Sequence, residues 1–406
     1  MNHFPFQVLD TGLDVVPGFQ ATGVHCGIKK SKKDLAVIVS DEPAVAAGVY
    51  TRNRVVAAPV LLTRDNIQKK GAIQLIVVNS GVANACTGEK GLADARRMAE
   101  MAAREFDISD PDLVAVASTG VIGDFLPLPA IEKGIHLARE AIHRESSGHS
   151  AALAIMTTDT YPKERAVRFV IDGQPVFLAG IAKGSGMIRP NMATMLAFIL
   201  TNANVERVTL QNALNKVVDR TFNRVTVDGD TSTNDMLLLL ANGKGGLPLT
   251  ETHPDYPIFC EGLEWVCREL ARDLARDGEG ATKLLTIRVD GAGHEEDARR
   301  AAFTIAESLL VKTAFFGEDP NWGRIIAALG RSSAEIRPER VTVSINGYRC
   351  VEQGRSVQGD VRTQLRAIMK ERELEIVLDV GVGGASCTVW TCDLSVDYVK
   401  INSHYS

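Results

Sequence analysis

Short runs of β-branched and aliphatic residues alternate along the whole chain with longer stretches whose apolar residues recur at helical spacing. A chain patterned this way buries both kinds of element by laying helices on sheets. The expected class is therefore mixed α/β (α+β), with the topology left open. AVIVS (36–40), VLLT (60–63) and AIQLIVVN (72–79) read as strands. Residues 91–106 carry Arg and Glu opposite their apolar positions and read as a helix. LVAVAS (113–118) reads as a buried strand ending in Thr119-Gly120, and 129–144 as a helix opened by proline. ESSGHS (145–150) reads as a polar loop. RAVRFVI (165–171) and PVFLAGIA (175–182) form a hairpin through Asp172-Gly173. MLAFILT (195–201), LLTIRV (284–289), VTVSIN (341–346) and EIVLDV (375–380) read as strands, and 208–222 and 259–276 as helices. At 406 residues, two domains or two large lobes are expected rather than one small core.

Charge and composition remove several classes of function. Lysine plus arginine total 45 against 50 aspartate plus glutamate, a net charge of −5, so there is no basic surplus of the kind nucleic-acid binders carry. No apolar run approaches the roughly 20 residues of a membrane span, and MATMLAFILTNANV closes on Asn202 and Asn204. The first ten residues, MNHFPFQVLD, lack the pattern of a signal peptide. Seven dispersed cysteines without a C-x-x-C fit a reducing cytoplasm and read as small buried hydrophobes. No phosphate-binding, dinucleotide-binding or nucleophile-elbow glycine pattern occurs. His294-Glu295-Glu296 reaches no second histidine, and DGDTSTND (228–235) has Thr233 where a calcium loop needs glycine and Leu239 where it needs glutamate. No metal site is expected.

Chemistry enters with Lys183-Gly-Ser-Gly-Met-Ile-Arg-Pro-Asn-Met-Ala-Thr194, where glycine freedom and proline restriction meet just before a strand. If the Ala193–Thr194 bond is strained, the threonine hydroxyl can attack the preceding carbonyl and sever the chain. The new N-terminal threonine would hold a nucleophile and an α-amine titrating near pH ~8, which serves as its own base. This solution needs no histidine. Pattern alone reads the segment as an ordinary turn.

KGSGMIRPNMATML resembles the self-processing signature of the glutamate N-acetyltransferase family of arginine biosynthesis, also called ornithine acetyltransferase. NSGVANACTG (79–88), STGVIG (118–123), MTTDT (156–160), VDGDTSTND (227–235), DGEGATK (277–283), KTAFFGEDPNWGRI (312–325) and INSHYS (401–406) resemble further blocks of that family, in its order and over essentially the whole chain. The resemblance implies a two-lobed αββα-like layered sandwich. It implies cleavage between Ala193 and Thr194 into an α chain (1–193) and a β chain (194–406), which assemble as a dimer of heterodimers. Thr194 resembles the nucleophile, and Thr119 and Gly120 the oxyanion-hole pair. Thr157, Lys183, Thr194, Glu279, Asn402 and Ser406 resemble substrate-binding positions, although the family tail is one residue longer than the one ending at Ser406.

The implied reaction is ping-pong. N-acetylornithine acetylates Thr194 and ornithine leaves; glutamate then takes the acetyl group and becomes N-acetylglutamate. No cofactor is implied, and acetyl-CoA is a second donor only in bifunctional members. One rival is an amidase or aminopeptidase of the N-terminal-nucleophile kind, with water as acceptor; a second is a non-enzymatic binding module. Cys86 has no local base and reads as structural. NSGVANACTG, VDGDTSTND and FFGEDPNWGR carry no chemical assignment.

Overall fold

A computed structural model describes residues 4–189, 195–246 and 248–404. The chain packs as two compact units, one made of Met1–Gly184, Asn191–Asn223 and Asp230–Leu270, the other of Ser185–Pro190, Arg224–Gly229 and Ala271–Ser406. The expected boundary between 193 and 194 falls on residues outside those described.

The first unit is built on a nine-stranded sheet. Its strands are β1 (Gln7–Leu9), β2 (Phe19–Val24), β3 (Leu35–Tyr50), β4 (Ala72–Val82), β5 (Val114–Val121), β6 (Lys163–Ile171), β7 (Gln174–Lys183), β8 (Leu196–Thr201) and β9 (Met236–Ala241). The order is β1-β6-β7-β8-β9-β3-β4-β5, with β2 paired to β3. Side chains alternate across a strand, and here both faces are buried. Leu75, Val77, Val114 and Val116 join one apolar cluster, Ile76, Val78, Ala115 and Ala117 another. That double burial explains why these strands read as continuous apolar runs. Helices α2 (Gly88–Glu105) and α3 (Leu128–Arg144) cover the first face and α4 (Gly148–Ile155) lies on the second, while α1 (Ala58–Lys70) gives Ala58 and Leu62 to the first cluster and Val60 and Ile67 to the second. Helix α5 (Arg207–Arg220) packs on β3, and α6 (Tyr256–Arg276) lays Phe259 against Phe169 of β6.

The β6–β7 hairpin turns as expected, with Asp172 and Gly173 at φ 48° and 75°, the positive pair a tight two-residue turn needs. Three local readings are corrected. VLLT lies inside α1: Pro59 pre-sets its first turn, Gly71 closes it at φ 70°, and Val60 and Ile67 face the core. A short aliphatic run has no period long enough to separate half a buried helix from a strand. Within ESSGHS, Ser147 caps α4 by accepting from the Ser150 N–H. Finally, β5 runs on through Val121, so Thr119 and Gly120 belong to the strand.

The second unit holds a six-stranded sheet, ordered β13 (Arg355–Ser356), β12 (Tyr348–Glu352), β11 (Thr342–Ile345), β14 (Glu373–Asp379), β10 (Leu284–Ala292) and β15 (Ala385–Cys392). Helix α7 (Glu295–Ala306) packs on β10 and β15, with Ala298, Ala301, Ala302 and Ile305 in the core beside Ile287 and Val389. The remaining helices are α8 (Leu309–Phe316), α9 (Trp322–Gly330), α10 (Val361–Ile368) and α11 (Val396–Asn402). Among the described residues no helix is long and apolar enough to cross a membrane.

Candidate active site

In the first unit, β4 and β5 run parallel and end together, with Ser80 opposite Thr119 and Gly81 opposite Gly120. Regular pairing breaks at Gly81–Val82, an irregularity that ends the ladder and frees the chain to turn. Gly120 is at φ 135°, and a Cβ there would stand 2.6 Å from the Val82 nitrogen and nearer still to the Gly81 carbonyl. Only glycine fits this approach. Buried side chains pin the strand ends. Ser118 Oγ donates to Asn79 Oδ1 at 2.5 Å, and Asn79 Nδ2 to the Val82 carbonyl at 2.8 Å. Ser80 Oγ donates to the Ala154 carbonyl at 2.5 Å.

Lys183 closes β7 and is 3% exposed; its ammonium donates to Thr157 Oγ1 at 3.2 Å. Beneath this pair lies Asp159, whose carboxylate accepts from Lys163 Nζ at 2.7 Å, the Gly184 N–H at 2.7 Å and the Thr157 N–H at 3.0 Å. Burial disfavours the charged carboxylate, but the Lys163 and Lys183 ammoniums and the hydrogen bonds outweigh it and hold its pKa down to about 2. Lys29 approaches the same segment, donating to the Met156 carbonyl at 2.7 Å and the Lys33 carbonyl at 2.8 Å. Burial, with Lys183 adding to it and Asp34 opposing, brings the Lys29 amine down to about 8. Asp34 organises the loop that carries Lys29 by accepting from the N–H groups of Cys26, Gly27 and Lys29.

In the second unit, Glu279 is 8% exposed. Its N–H donates to the Ser185 carbonyl at 2.8 Å, and its Oε2 accepts from Asn402 Nδ2 at 2.7 Å. A Cβ at Gly186 would lie 2.5 Å from Glu279 Cδ, so any side chain there would displace the Glu279 carboxylate. The Asp228 carboxylate accepts from the N–H groups of Met187 and Ile188 at 2.6 and 2.8 Å. Asp393 accepts from the N–H groups of Thr282 and Lys283 and so holds the end of the DGEGATK loop.

The candidate residues thus form two sets of opposite character. The first unit carries Thr119, Gly120, Thr157 and Lys183; the second carries Glu279 and Asn402. A lysine ammonium beside a hydroxyl suits a carboxylate, and a carboxylate beside an amide suits an ammonium. Ala193, Thr194 and Ser406 lie outside the described residues. Sequence reasoning missed Lys29, Asp159, Lys163 and the pair Asn234–Asp235. Asp159 sits inside MTTDT and Asn234–Asp235 inside VDGDTSTND, blocks the sequence offers without saying what each residue touches. Among the described residues no group of three or more His, Cys, Asp or Glu is placed to hold a metal.

The sequence profile of the ArgJ family matches residues 20–406. The arginine biosynthesis bifunctional protein ArgJ of Bacillus licheniformis is 47% identical over 389 residues, 96% of this chain and 95% of that protein. Its namesake from Caldanaerobacter subterraneus is 47% identical over 404 residues, 98% of this chain and 99% of that protein. A crystal structure of the arginine biosynthesis bifunctional protein argJ from Bacillus halodurans is 44% identical, covers 46% of this chain and 98% of its own, and superposes with a TM-score of 0.44.

Proposed function

The chain belongs to the ArgJ family, and from that premise we propose that it is a self-cleaving acetyltransferase that moves an acetyl group from N-acetylornithine to glutamate through an acetyl-Thr194 ester. In maturation, the Thr194 hydroxyl attacks the Ala193 carbonyl and the C–N bond breaks. Water then hydrolyses the resulting ester, leaving a carboxylate on Ala193 and a free α-amine on Thr194. In catalysis, the same hydroxyl attacks the acetyl carbonyl of N-acetylornithine. The α-amine takes the hydroxyl proton and passes it to the departing ornithine nitrogen. The amine of glutamate then attacks the ester, N-acetylglutamate leaves, and Thr194 regains its proton. Covalent catalysis divides one difficult amide exchange into two easier steps.

Thr119 and Gly120 donate to the oxyanion of each tetrahedral intermediate, where one lost donor costs roughly 3 kcal/mol. Lys183 and Thr157 hold the substrate carboxylate; Glu279 and Asn402, with Ser406, hold the amino end. The observation that carries this reading is Lys183: a buried ammonium at the end of a strand, bonded to the hydroxyl of Thr157. The relatives' name, bifunctional protein, supports acetyl-CoA as a second donor. The α and β chains assemble as a dimer of heterodimers, a heterotetramer in the cytoplasm, and the chemistry calls for no cofactor.

Intact-mass measurement of the denatured enzyme tests the reading. It should show chains 1–193 and 194–406, with one acetyl group added to the second after a pulse of N-acetylornithine without glutamate. Thr194→Ala should show neither the break nor the adduct. Acetate released at the same rate with and without glutamate would instead favour the amidase reading.

A further inference from the structure

We propose that Asn234 and Asp235 are the positioning pair of this site, Asp235 anchoring the peptide just after the cleavage position and Asn234 anchoring the strand end that carries Thr119 and Gly120. The inference rests on the reading of Thr194 given above. The Met195 N–H donates to Asp235 Oδ1 at 3.0 Å, and the Met195 carbonyl accepts from the Met236 N–H at 3.1 Å. Both backbone groups of the residue after Thr194 are therefore held by two consecutive residues at the start of β9. Asn234 Nδ2 donates to the Ser118 carbonyl at 2.9 Å and the Ala83 carbonyl at 2.6 Å. Its Oδ1 accepts from Thr233 Oγ1 at 2.6 Å, which fixes which way the amide faces.

The loop is itself tied down. Thr51 Oγ1 donates to the Ser232 carbonyl, the Ala57 N–H to the Thr233 carbonyl and the Thr51 N–H to the Asp235 carbonyl. It leads straight into β9, which lies between β8 and β3 with all six residues buried. One dipeptide at the entry to a rigid central strand thus grips both the segment that supplies the nucleophile and the strand that supplies the oxyanion donors. All these groups belong to the first unit.

The physical need is specific. Once cleaved, Thr194 is a chain terminus, and termini fray unless tied down. Asp235 is 1% exposed, and a buried carboxylate accepting an amide N–H makes one of the stronger hydrogen bonds available to a backbone. A misplacement of about 1 Å between nucleophile and oxyanion donors can cost about a hundredfold in rate.

The test compares wild type, Asp235→Ala, Asp235→Asn and Thr194→Ala. Asparagine keeps an oxygen for the Met195 N–H; alanine removes it. Per cleaved molecule, Asp235→Ala should lose about ten- to a hundredfold in kcat, with KM for N-acetylornithine and glutamate near wild type. Asp235→Asn should recover most of that loss, and amide exchange at Met195 should speed up in the order wild type, asparagine, alanine. The proposal is overturned if folded, cleaved Asp235→Ala turns over at the wild-type rate, if its loss falls on KM, or if asparagine is as damaging as alanine. Should Asp235→Ala fail to fold, Asp235→Val stands in for it, since valine also lacks an acceptor for the Met195 N–H, and a wild-type kcat in that folded, cleaved variant would overturn the proposal. Thr194→Ala separates the two claims: if it transfers acetyl groups normally, the nucleophile reading fails; if it is dead while Asp235→Ala is unaffected, only the anchor fails.

Discussion

Replacing Gly120 by alanine probes the strand end at its tightest point. The new Cβ would stand 2.6 Å from the Val82 nitrogen, at a residue whose φ is 135°. The obstructing atoms belong to the backbone of β4, so no rotamer relieves the overlap. Adopting the positive φ costs about 1–2 kcal/mol, and forcing the two strands apart adds about 1–3 kcal/mol. A stability loss of about 2–5 kcal/mol follows. The displacement falls on the amides assigned to the oxyanion, where one lost donor is worth about 3 kcal/mol, or about a hundredfold in kcat. Gly123 supplies the control, because it also has a positive φ, 99°, yet nothing lies within 4 Å of its would-be Cβ. Gly123→Ala should show backbone strain alone. The assay is the initial rate of acetyl transfer from N-acetylornithine to glutamate per cleaved molecule, with the thermal midpoint measured alongside. We expect Gly120→Ala to lose about a hundredfold in kcat at nearly unchanged KM, and Gly123→Ala to stay within about threefold of wild type. A folded, processed Gly120→Ala enzyme working at the wild-type rate would refute the oxyanion assignment.

Three further outcomes are expected. Lys183→Met removes the buried ammonium that Thr157 accepts from, so kcat/KM for both amino-acid substrates should fall about ten- to a hundredfold; acetylation by p-nitrophenyl acetate, which has no carboxylate to hold, should be spared, and an equal loss there would place the lysine elsewhere. The Asp159 carboxyl is held down to about 2 from an ordinary 3.8, so its stabilising effect is present above the ordinary value and is lost as the pH falls through the folded one. Thermal midpoints should therefore drop steeply across that acid window, and Asp159→Asn, which takes away the carboxylate partner of buried Lys163, should lower the neutral midpoint and flatten the slope; an unchanged slope would count against the network. Burial, with Asp34 adding to it, pushes the Cys26 thiol up to about 12, and burial pushes Cys350 to about 11, whereas Cys86 is exposed. A thiol reagent at neutral pH should label Cys86 first, and Cys86→Ser should keep wild-type transfer; loss of activity in that variant would show that the residue is more than structural.

Much of the first sheet is legible in the chain because its signals are local. Asp172-Gly173 announces its own turn, and AIQLIVVN announces a strand buried on both faces. The errors fall where local signals are degenerate. VLLT is as apolar as a strand because half of α1 faces the core. MLLLLA at 236–241 is leucine-rich rather than β-branched, and becomes a central strand only because β3 and β8 close on it from either side.

The candidate site divides the same way. Residue types and their short-range company are written in the sequence: a threonine after a Gly- and Pro-bearing loop, a glycine at the end of an apolar run, a lysine closing a strand. Which groups meet is not, because contact depends on strand order and register that periodicity does not encode. Lys183 finds Thr157 across 26 residues, Asn234 finds Ser118 across 116, and Glu279 finds Asn402 across 123. A side chain's chemistry travels with its letter, but its partner is chosen by the fold, since hydrogen bonds reach only about 3 Å and only packed sheets bring such distant segments that close.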